Sequence, residues 1–320
     1  MPEVVFHYYF ADRVLRELPE EIGSHIRPEI YQTGARGPDP LGLIRFWWPP
    51  AWRREHGKSS VMHNTRSGQF FSALAKETRN AGQDLKDELF SYLCGFLTHY
   101  RLDASCHPYI IDQTGLGPGT AGNHRSLEHA LDRDILRKYG LQLRDRPITR
   151  ELLPAGPLPE NMADPLNRVY RETFGWENAW SNIRKALKDE RRFLRLTEDP
   201  LGALAKLLPR SCGGTIRSLS YAEKAYEDAD IWNRERRTWH HPYDPGLESG
   251  SSLEELAEEA LRKATAGIIG LYGYIYQSNE YPDIIGSDSY ESGFDTEDAR
   301  NQMKAVCHPL RREAGQAVRE

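Results

Sequence analysis

The chain has 320 residues, long enough for one large domain or two moderate ones around a sizeable core. Hydrophobic residues make up 39% and charged residues 28%, which excludes a disordered chain. A net charge of −5 and a pI near 6.2 argue against a protein built to grip duplex nucleic acid through a basic surface.

The N-terminal stretch "MPEVVFHYYFADRVLRELPEE" has no basic segment followed by an apolar one. No secretory leader is expected from it, and the expected location is cytoplasmic. Within it, "FADRVLRELPEEI" sets Phe10, Val14, Leu15 and Leu18 on one face, the pattern of an amphipathic helix. The stretch "RFWWPPAWRRE", residues 45 to 55, gathers three Trp with several Arg. It either packs on neighbouring helices or lines a cleft, where it would meet acyl chains or stack a base. "SGQFFSALAKETRN" reads as a helix capped by Ser67, and "DLKDELFSYLCGFLTHYRLDAS" as a longer, buried central helix. "IIDQTGLGPGTAGNH" is Gly-rich but lacks the Lys-Ser/Thr of a phosphate loop, so it reads as a connector. The helix "HRSLEHALDRDILRKYG" follows, closed by Gly140.

Residues 141 to 165 hold five prolines. They read as an irregular connector between a helical core, 1–140, and a C-terminal helical half, 166–320, packed on that core. Helices resume in "WENAWSNIRKALKDERRFLRL", "DPLGALAKLLP" and "SLEELAEEALRKATAGIIGLYGYI". The apolar run "ATAGIIGLYGYIY" is too short and too interrupted by Gly to span a membrane. "DIIGSDSYESGFDTED" lacks the EF-hand spacing and reads as a solvated loop. Alternating strand patterns are almost lacking and no repeat is seen, so the predicted fold class is all-α. The four cysteines, Cys94, Cys106, Cys212 and Cys307, show no CxxC pairing and are expected to be buried free thiols.

The segment "LTHYRLDASCHPY" carries the chemistry. His99 and Asp103 are one helical turn apart, so their side chains share a face about 6 Å apart at Cβ. His107 is one turn further, but Pro108 follows and is expected to end the helix at or just before His107, freeing it to turn toward a second ion. His124 and Glu128 make another such pair at the start of the next helix. Asp39, His63 and His7 are further candidates upstream. Imidazole and carboxylate without thiolate suit catalytic zinc, with enough ligands for two ions or three, and the same set suits iron or manganese. His129 points about 100° from Glu128 and reads as a non-ligand. The adjacent His240 and His241 do not converge easily on one ion and read as supporting ligand residues or as purely structural.

Taken in order, "FHYYFADRVL", "GPDP", "MHN", "HYRLDASCHPY" and "HRSLE" resemble the zinc-dependent phospholipase C family of bacteria. The resemblance extends through about residue 135 and continues more loosely in "RTWHHPYDPGLESGSSLEELAEEA" and "GSDSYESGF". It implies a multi-helix fold like that of phospholipase C and P1 nuclease, with two or three zinc ions in a cleft. Asp39, His63, His99 and Asp103 match the ligands of one zinc, and His107, His124 and Glu128 those of a second. His7 matches a ligand of a third, bridged to the first by Asp103. In secreted members the third ion is also held by an N-terminal Trp, whereas here Met1 stands six residues before His7.

The implied activity is hydrolysis of a phosphodiester by metal-activated hydroxide, with Asp39 as general base. The substrate would be a phospholipid or a small phosphate ester. A nuclease-like enzyme on a non-lipid substrate and an iron or manganese enzyme on the same ligands remain open, as does a non-catalytic helical module. Tyr8, Tyr100 and Asp112 are candidates to orient the ligand imidazoles.

Overall fold

A computed structural model describes residues 4–116, 120–142, 147–153, 158–199, 201–203, 206, 218–222 and 225–310. In chain order the helices are α1 (Val4–Glu17), α2 (Glu20–Gly23), α3 (Pro28–Gly34), α4 (Asp39–Gly42), α5 (Pro49–Glu55), α6 (Gly57–Asn64), α7 (Ser67–Asn80), α8 (Gln83–Thr114), α9 (Ala121–Lys138), α10 (Ile148–Glu151), α11 (Ala163–Phe174) and α12 (Ala179–Thr197). A small hairpin, β1 (Trp239–His241) and β2 (Asp244–Ser249), then precedes the last long helix, α13 (Leu253–Tyr276). The fold is all-α, as the sequence predicts. The helix expected over "DPLGALAKLLP" and the residue Cys212 lie largely or wholly outside the described residues.

Helix α8 is the axis of the molecule. Its apolar residues run round the whole circumference, and nearly every residue from Leu89 to Thr114 is buried, which is how a helix reads when it is enclosed on all sides. The most extensive packing on it comes from α3 and α13, with α7, α1 and α9 completing the jacket. Gly95 lets α3 come close: a Cβ there would stand 2.0 Å from the Tyr31 carbonyl oxygen and 2.8 Å from the Ala35 nitrogen. That approach brings the segment after α3, which carries Asp39, against the middle of α8.

The jacket is locked by buried and half-buried polar contacts. Asp87 near the start of α8 accepts from His25 Nδ1 at 2.9 Å, from Arg27 at 3.0 Å and from the Tyr276 hydroxyl at 2.8 Å. Helix α13 opens on a capping box, in which Glu255 N–H donates to Ser252 Oγ at 3.2 Å and Ser252 N–H donates to Glu255 Oε2 at 3.0 Å. Cys94 and Cys106 are buried free thiols, and burial holds both well above the usual thiol range; Cys307 is half-buried. No described helix is long and apolar enough to cross a membrane.

Three local expectations are corrected. Ser67 is the first residue of α7 and not its cap: left-handed Arg66 (φ 58°) takes the cap position, and Ser67 Oγ donates to the Asp288 carbonyl at 2.8 Å. The hairpin escapes sequence reading because β2 is short, mostly exposed and without apolar alternation. It is held instead by its ladder, Trp239 opposite Ser249 and His240 opposite Glu248, and by buried Trp239, whose Nε1 donates to the Ser251 carbonyl at 3.1 Å.

The third correction bears on the site. Helix α8 does not end at His107 but passes through Pro108 to Thr114. Proline there removes the N–H that would meet the Ala104 carbonyl. Gly293 (φ 68°) rests against that carbonyl; a Cβ there would lie 2.5 Å from its oxygen. Packing on all sides outweighs the local preference against helix before proline.

Gly95→Val is expected to lower stability by about 3 kcal/mol through overpacking of α3 on α8. Urea denaturation checks this, with Gly23→Ala, a position where nothing lies within 4 Å of the added Cβ, as the neutral control.

Candidate metal centre

Two groups of ligand-type side chains converge beside the middle of α8. In the first, α8 supplies His99 and Asp103, the first residue of α4 supplies Asp39, and the last turn of α6 supplies His63; all four are buried. His99 Nε2 lies 3.0 Å from Asp103 Oδ2 and 3.6 Å from Asp39 Oδ1. His63 Nε2 lies 3.2 Å from Asp39 Oδ1 and 3.5 Å from Asp103 Oδ2. In the second group, buried His107 from α8 meets His124 and Glu128 from α9, with His124 Nε2 2.9 Å and His107 Nε2 4.0 Å from Glu128 Oε1. Within each group the ligand atoms all lie within 4.8 Å of one another. Because α8 continues past Pro108, His107 stays on the same face as His99 and Asp103, its Nδ1 3.9 Å from Asp103 Oδ2.

His7 joins from α1. Its Nε2 lies 3.3 Å from Asp103 Oδ1, and its ring stacks on His99 with centroids 4.0 Å apart. The start of α1 is pinned by the buried Asp132 carboxylate of α9, which accepts from the N–H groups of Val5 at 3.1 Å and Phe6 at 2.9 Å. An acceptor on the unpaired amides of a first helical turn fixes where that helix begins, and so where His7 points.

The imidazoles are oriented through their other nitrogen. Nδ1 of His63 donates to the Ser59 carbonyl at 2.8 Å, Nδ1 of His107 to the Tyr290 carbonyl at 2.7 Å, and Nδ1 of His99 reaches the Ala35 carbonyl at 3.3 Å. His124 Nδ1 lies 3.3 Å from Thr114 Oγ1, a hydroxyl that itself donates to the Ile110 carbonyl. A carbonyl accepts only from the protonated nitrogen, so Nε2 is the nitrogen that His63, His99 and His107 turn inward, where it can offer its lone pair to a metal. Two of the three orienting groups expected from sequence have other work: Tyr100 accepts from Asp288 N–H at 2.7 Å, and Asp112 accepts from His308 N–H at 3.1 Å.

The fit to a metal can be tested on the atoms that remain. Nε2 of His63, His99 and His107, both ring nitrogens of His7, Oδ1 of Asp39 and both Asp103 oxygens are buried without a hydrogen-bond partner. Such atoms are costly in a protein interior and rare there. Here they are gathered in one place and face one another, which is what a coordination sphere requires. The donor set, nitrogen and oxygen without sulfur, suits zinc.

Charge fits as well. Burial works against the Asp39 carboxylate, yet His99 and His63 beside it hold it down at about 2. Asp103 is likewise held well below the carboxylate range against its burial, by His107, His99 and His7. His63 is pushed up to about 10 against burial by the carboxylates of Asp103 and Asp39. Burial and the neighbouring His99 draw His7 down to about 4, and burial draws His107 well below its ordinary value. The centre thus holds buried carboxylates beside His7 and His107 imidazoles that burial keeps neutral, while His63 takes up a positive charge from the same carboxylates, a place that a metal cation can fill.

Asp39, His63, His107, His124 and Glu128 all line a cavity of about 790 Å³. Its lining also includes the apolar Phe46, Trp52, Phe193 and Leu194 and a buried ion pair in which Arg36 Nε donates to Glu190 Oε1 at 3.2 Å.

One family model, described as zinc dependent phospholipase C, matches residues 6–189, more than half of the chain. The chain belongs to the zinc-dependent phospholipase C family. No curated protein and no solved structure matches it. The matched span contains all eight candidate ligands, and as a member of this family the chain carries clustered His, Asp and Glu groups that fit a multinuclear metal site.

Part of what builds the centre lies beyond that span and was missed in the sequence. The acidic loop after α13, expected to be solvated, is packed on the site. Tyr290 N–H donates to the His63 carbonyl at 2.8 Å while its carbonyl accepts from His107, so a single residue's main chain ties the two groups together. Arg101 holds the loop through Asp288 Oδ2 at 2.9 Å and the Ile285 carbonyl at 2.8 Å, and His241 Nε2 donates to the Ser292 carbonyl at 2.8 Å. His241 is therefore structural. His129 stacks on Tyr221, with centroids 3.7 Å apart, and is in neither ligand group.

Gly293→Val is expected to force this loop off the Ala104 carbonyl, costing about 2 kcal/mol. Thermal denaturation measures that loss, and hydrogen exchange at the Tyr290 amide is expected to quicken as its bond to His63 loosens.

Proposed function

We propose that the chain hydrolyses the phosphodiester of a phospholipid, leaving a diacylglycerol and a phosphorylated headgroup. The observation that carries this reading is the pair of adjacent nitrogen-and-oxygen ligand groups opening on one half-apolar cavity. Asp39, His63, His99 and Asp103 would hold one zinc, and His107, His124 and Glu128 a second. His7, facing the opposite oxygen of Asp103, would contribute to a third. Zinc is preferred to iron or manganese because the family is zinc-dependent. When bound, zinc supplies Lewis acidity: it makes a water acidic enough to ionise near pH 7 and neutralises charge on phosphoryl oxygens.

The chain's own residues do the rest. The Nδ1–H bonds to the carbonyls of Ser59, Ala35 and Tyr290 turn Nε2 of His63, His99 and His107 toward the centre, and a metal ion there would displace the proton that Asp39 and Asp103 favour on His63. Asp39 both belongs to the first group and lines the cavity, which supports its carboxylate as the base that would take the proton of the attacking water. Phe46, Trp52 and Phe193 give the glycerol and the upper acyl chains an apolar wall, keeping bulk water from the reacting phosphate.

The test is release of phosphorylated headgroup and diacylglycerol from phosphatidylcholine and phosphatidylethanolamine. A chelator is expected to abolish release and zinc to restore it, and Asp39→Asn is expected to lower kcat by about 10²-fold or more. Absence of headgroup release, release indifferent to the chelator, or hydrolysis of single-stranded nucleic acid in its place would overturn the reading.

A further inference from the structure

We infer that the stretch from Arg45 to Arg54 is a docking surface for an anionic phospholipid bilayer. The inference takes its purpose from the phospholipase reading, since a lipase must meet its substrate at an interface, but its test does not depend on catalysis.

The stretch has two sides. Phe46, Trp52 and Arg53 line the 790 Å³ cavity, and Trp52 is pinned there by its Nε1 donating to the Gly42 carbonyl at 2.9 Å. The alternate residues face out. Trp47 is 46% and Trp48 60% exposed, the only exposed tryptophans among the described residues. They share a surface depression of about 340 Å³ with Arg45, Pro50, Arg54 and Lys185. Two large aromatic rings held in water are costly, and indole is the side chain best suited to the boundary between headgroups and acyl chains.

Their exposure is imposed by the backbone. Arg45 is left-handed (φ 55°), a conformation that non-glycine residues rarely adopt. Its N–H donates to the buried Asp189 carboxylate of α12 at 2.8 Å, and Trp48 N–H closes the turn on the Arg45 carbonyl at 2.9 Å. Phe46 packs edge-on against Phe193 of the same helix, with centroids 5.3 Å apart. The turn therefore sends Phe46 inward and Trp47 and Trp48 outward from a fixed base.

Charge selects the partner. The depression is lined by Arg45, Arg54 and Lys185 and by no carboxylate. Arg192 lies over the Trp47 ring, 5.1 Å from its centroid, and its helix neighbour Leu196 is 67% exposed. The acidic groups nearby are engaged: Glu55 pairs with Arg54 at 3.1 Å and Lys58 at 2.7 Å, and Asp189 is buried. On a chain of net charge −5, a cationic, indole-bearing face is the side that an anionic membrane attracts while it repels the rest. A membrane held there meets the outer side of the cavity wall.

Co-sedimentation with vesicles tests this. The unaltered chain is expected to bind phosphatidylcholine vesicles containing phosphatidylserine, to bind phosphatidylcholine alone far less, and to be released by high salt. The double variant Trp47→Ala, Trp48→Ala is expected to lose roughly tenfold or more in binding while keeping the melting temperature of the unaltered chain. It is also expected to keep its rate on a short-chain, monomeric phosphatidylcholine. Binding lost in the variant would stand even if neither protein hydrolysed lipid, which separates the two proposals. Failure of the unaltered chain to bind, equal binding to both vesicles, or a variant that binds as well as the unaltered chain would overturn the docking surface.

Discussion

The Asp103 carboxylate sits in the middle of the longest helix with no exposed surface and no hydrogen bond to either oxygen. Four imidazoles stand around it, His7 on one oxygen and His63, His99 and His107 on the side of the other. Burying an anion in this way is among the most expensive things a fold can do, and removing one partner of such an arrangement typically costs several kcal/mol. Much of the architecture serves to bring counter-groups to that point. Helix α1 is started by Asp132 so that His7 arrives, α3 is admitted by Gly95 so that Asp39 arrives, and α9 crosses the end of α8 with His124 and Glu128. Multivalent cations complete the set more economically than protons, because they meet carboxylate and neutral imidazole together.

The candidate ligand positions on α8 and α9 were legible because a helix that turned ligands toward one ion would repeat them every four residues. Three polar residues four apart in an otherwise apolar, enclosed helix have no role in packing, and His124 with Glu128 repeats the spacing on the next helix. Asp39, His63 and His7 have no such period; they were found through short motifs that resemble the family. The break expected at Pro108 rested on a local rule, and local rules give way where packing on all sides holds the helix and Gly293 covers the carbonyl that proline leaves open. Tyr290 was invisible for a different reason. It acts through its main-chain N–H and C=O, which every residue carries, so no residue type announces the role. The surrounding Asp, Glu and Ser suggested a solvated loop.

That loop also changes how the matched family span should be understood. Residues 6–189 contain the candidate ligands, yet His63 and His107 are held in part by Tyr290, about a hundred residues beyond it. The centre is thus assembled by contacts of long sequence separation, with Arg101 and Pro108 on α8 as the places where the late segment lands. The Trp-rich stretch shows the same economy: one face of a single turn lines the cavity and the other is surface.

Metal content read directly from the protein, with variants that address the groups one at a time, tests the central claim. Mass-spectrometric elemental analysis of chain purified without chelator should find two or three equivalents of zinc. His99→Ala should lower the count through the first group and Glu128→Ala through the second, each variant keeping the helical circular-dichroism spectrum. Protein without stoichiometric metal, or a zinc count that neither substitution changes, would contradict the assignment of the buried groups as a metal centre.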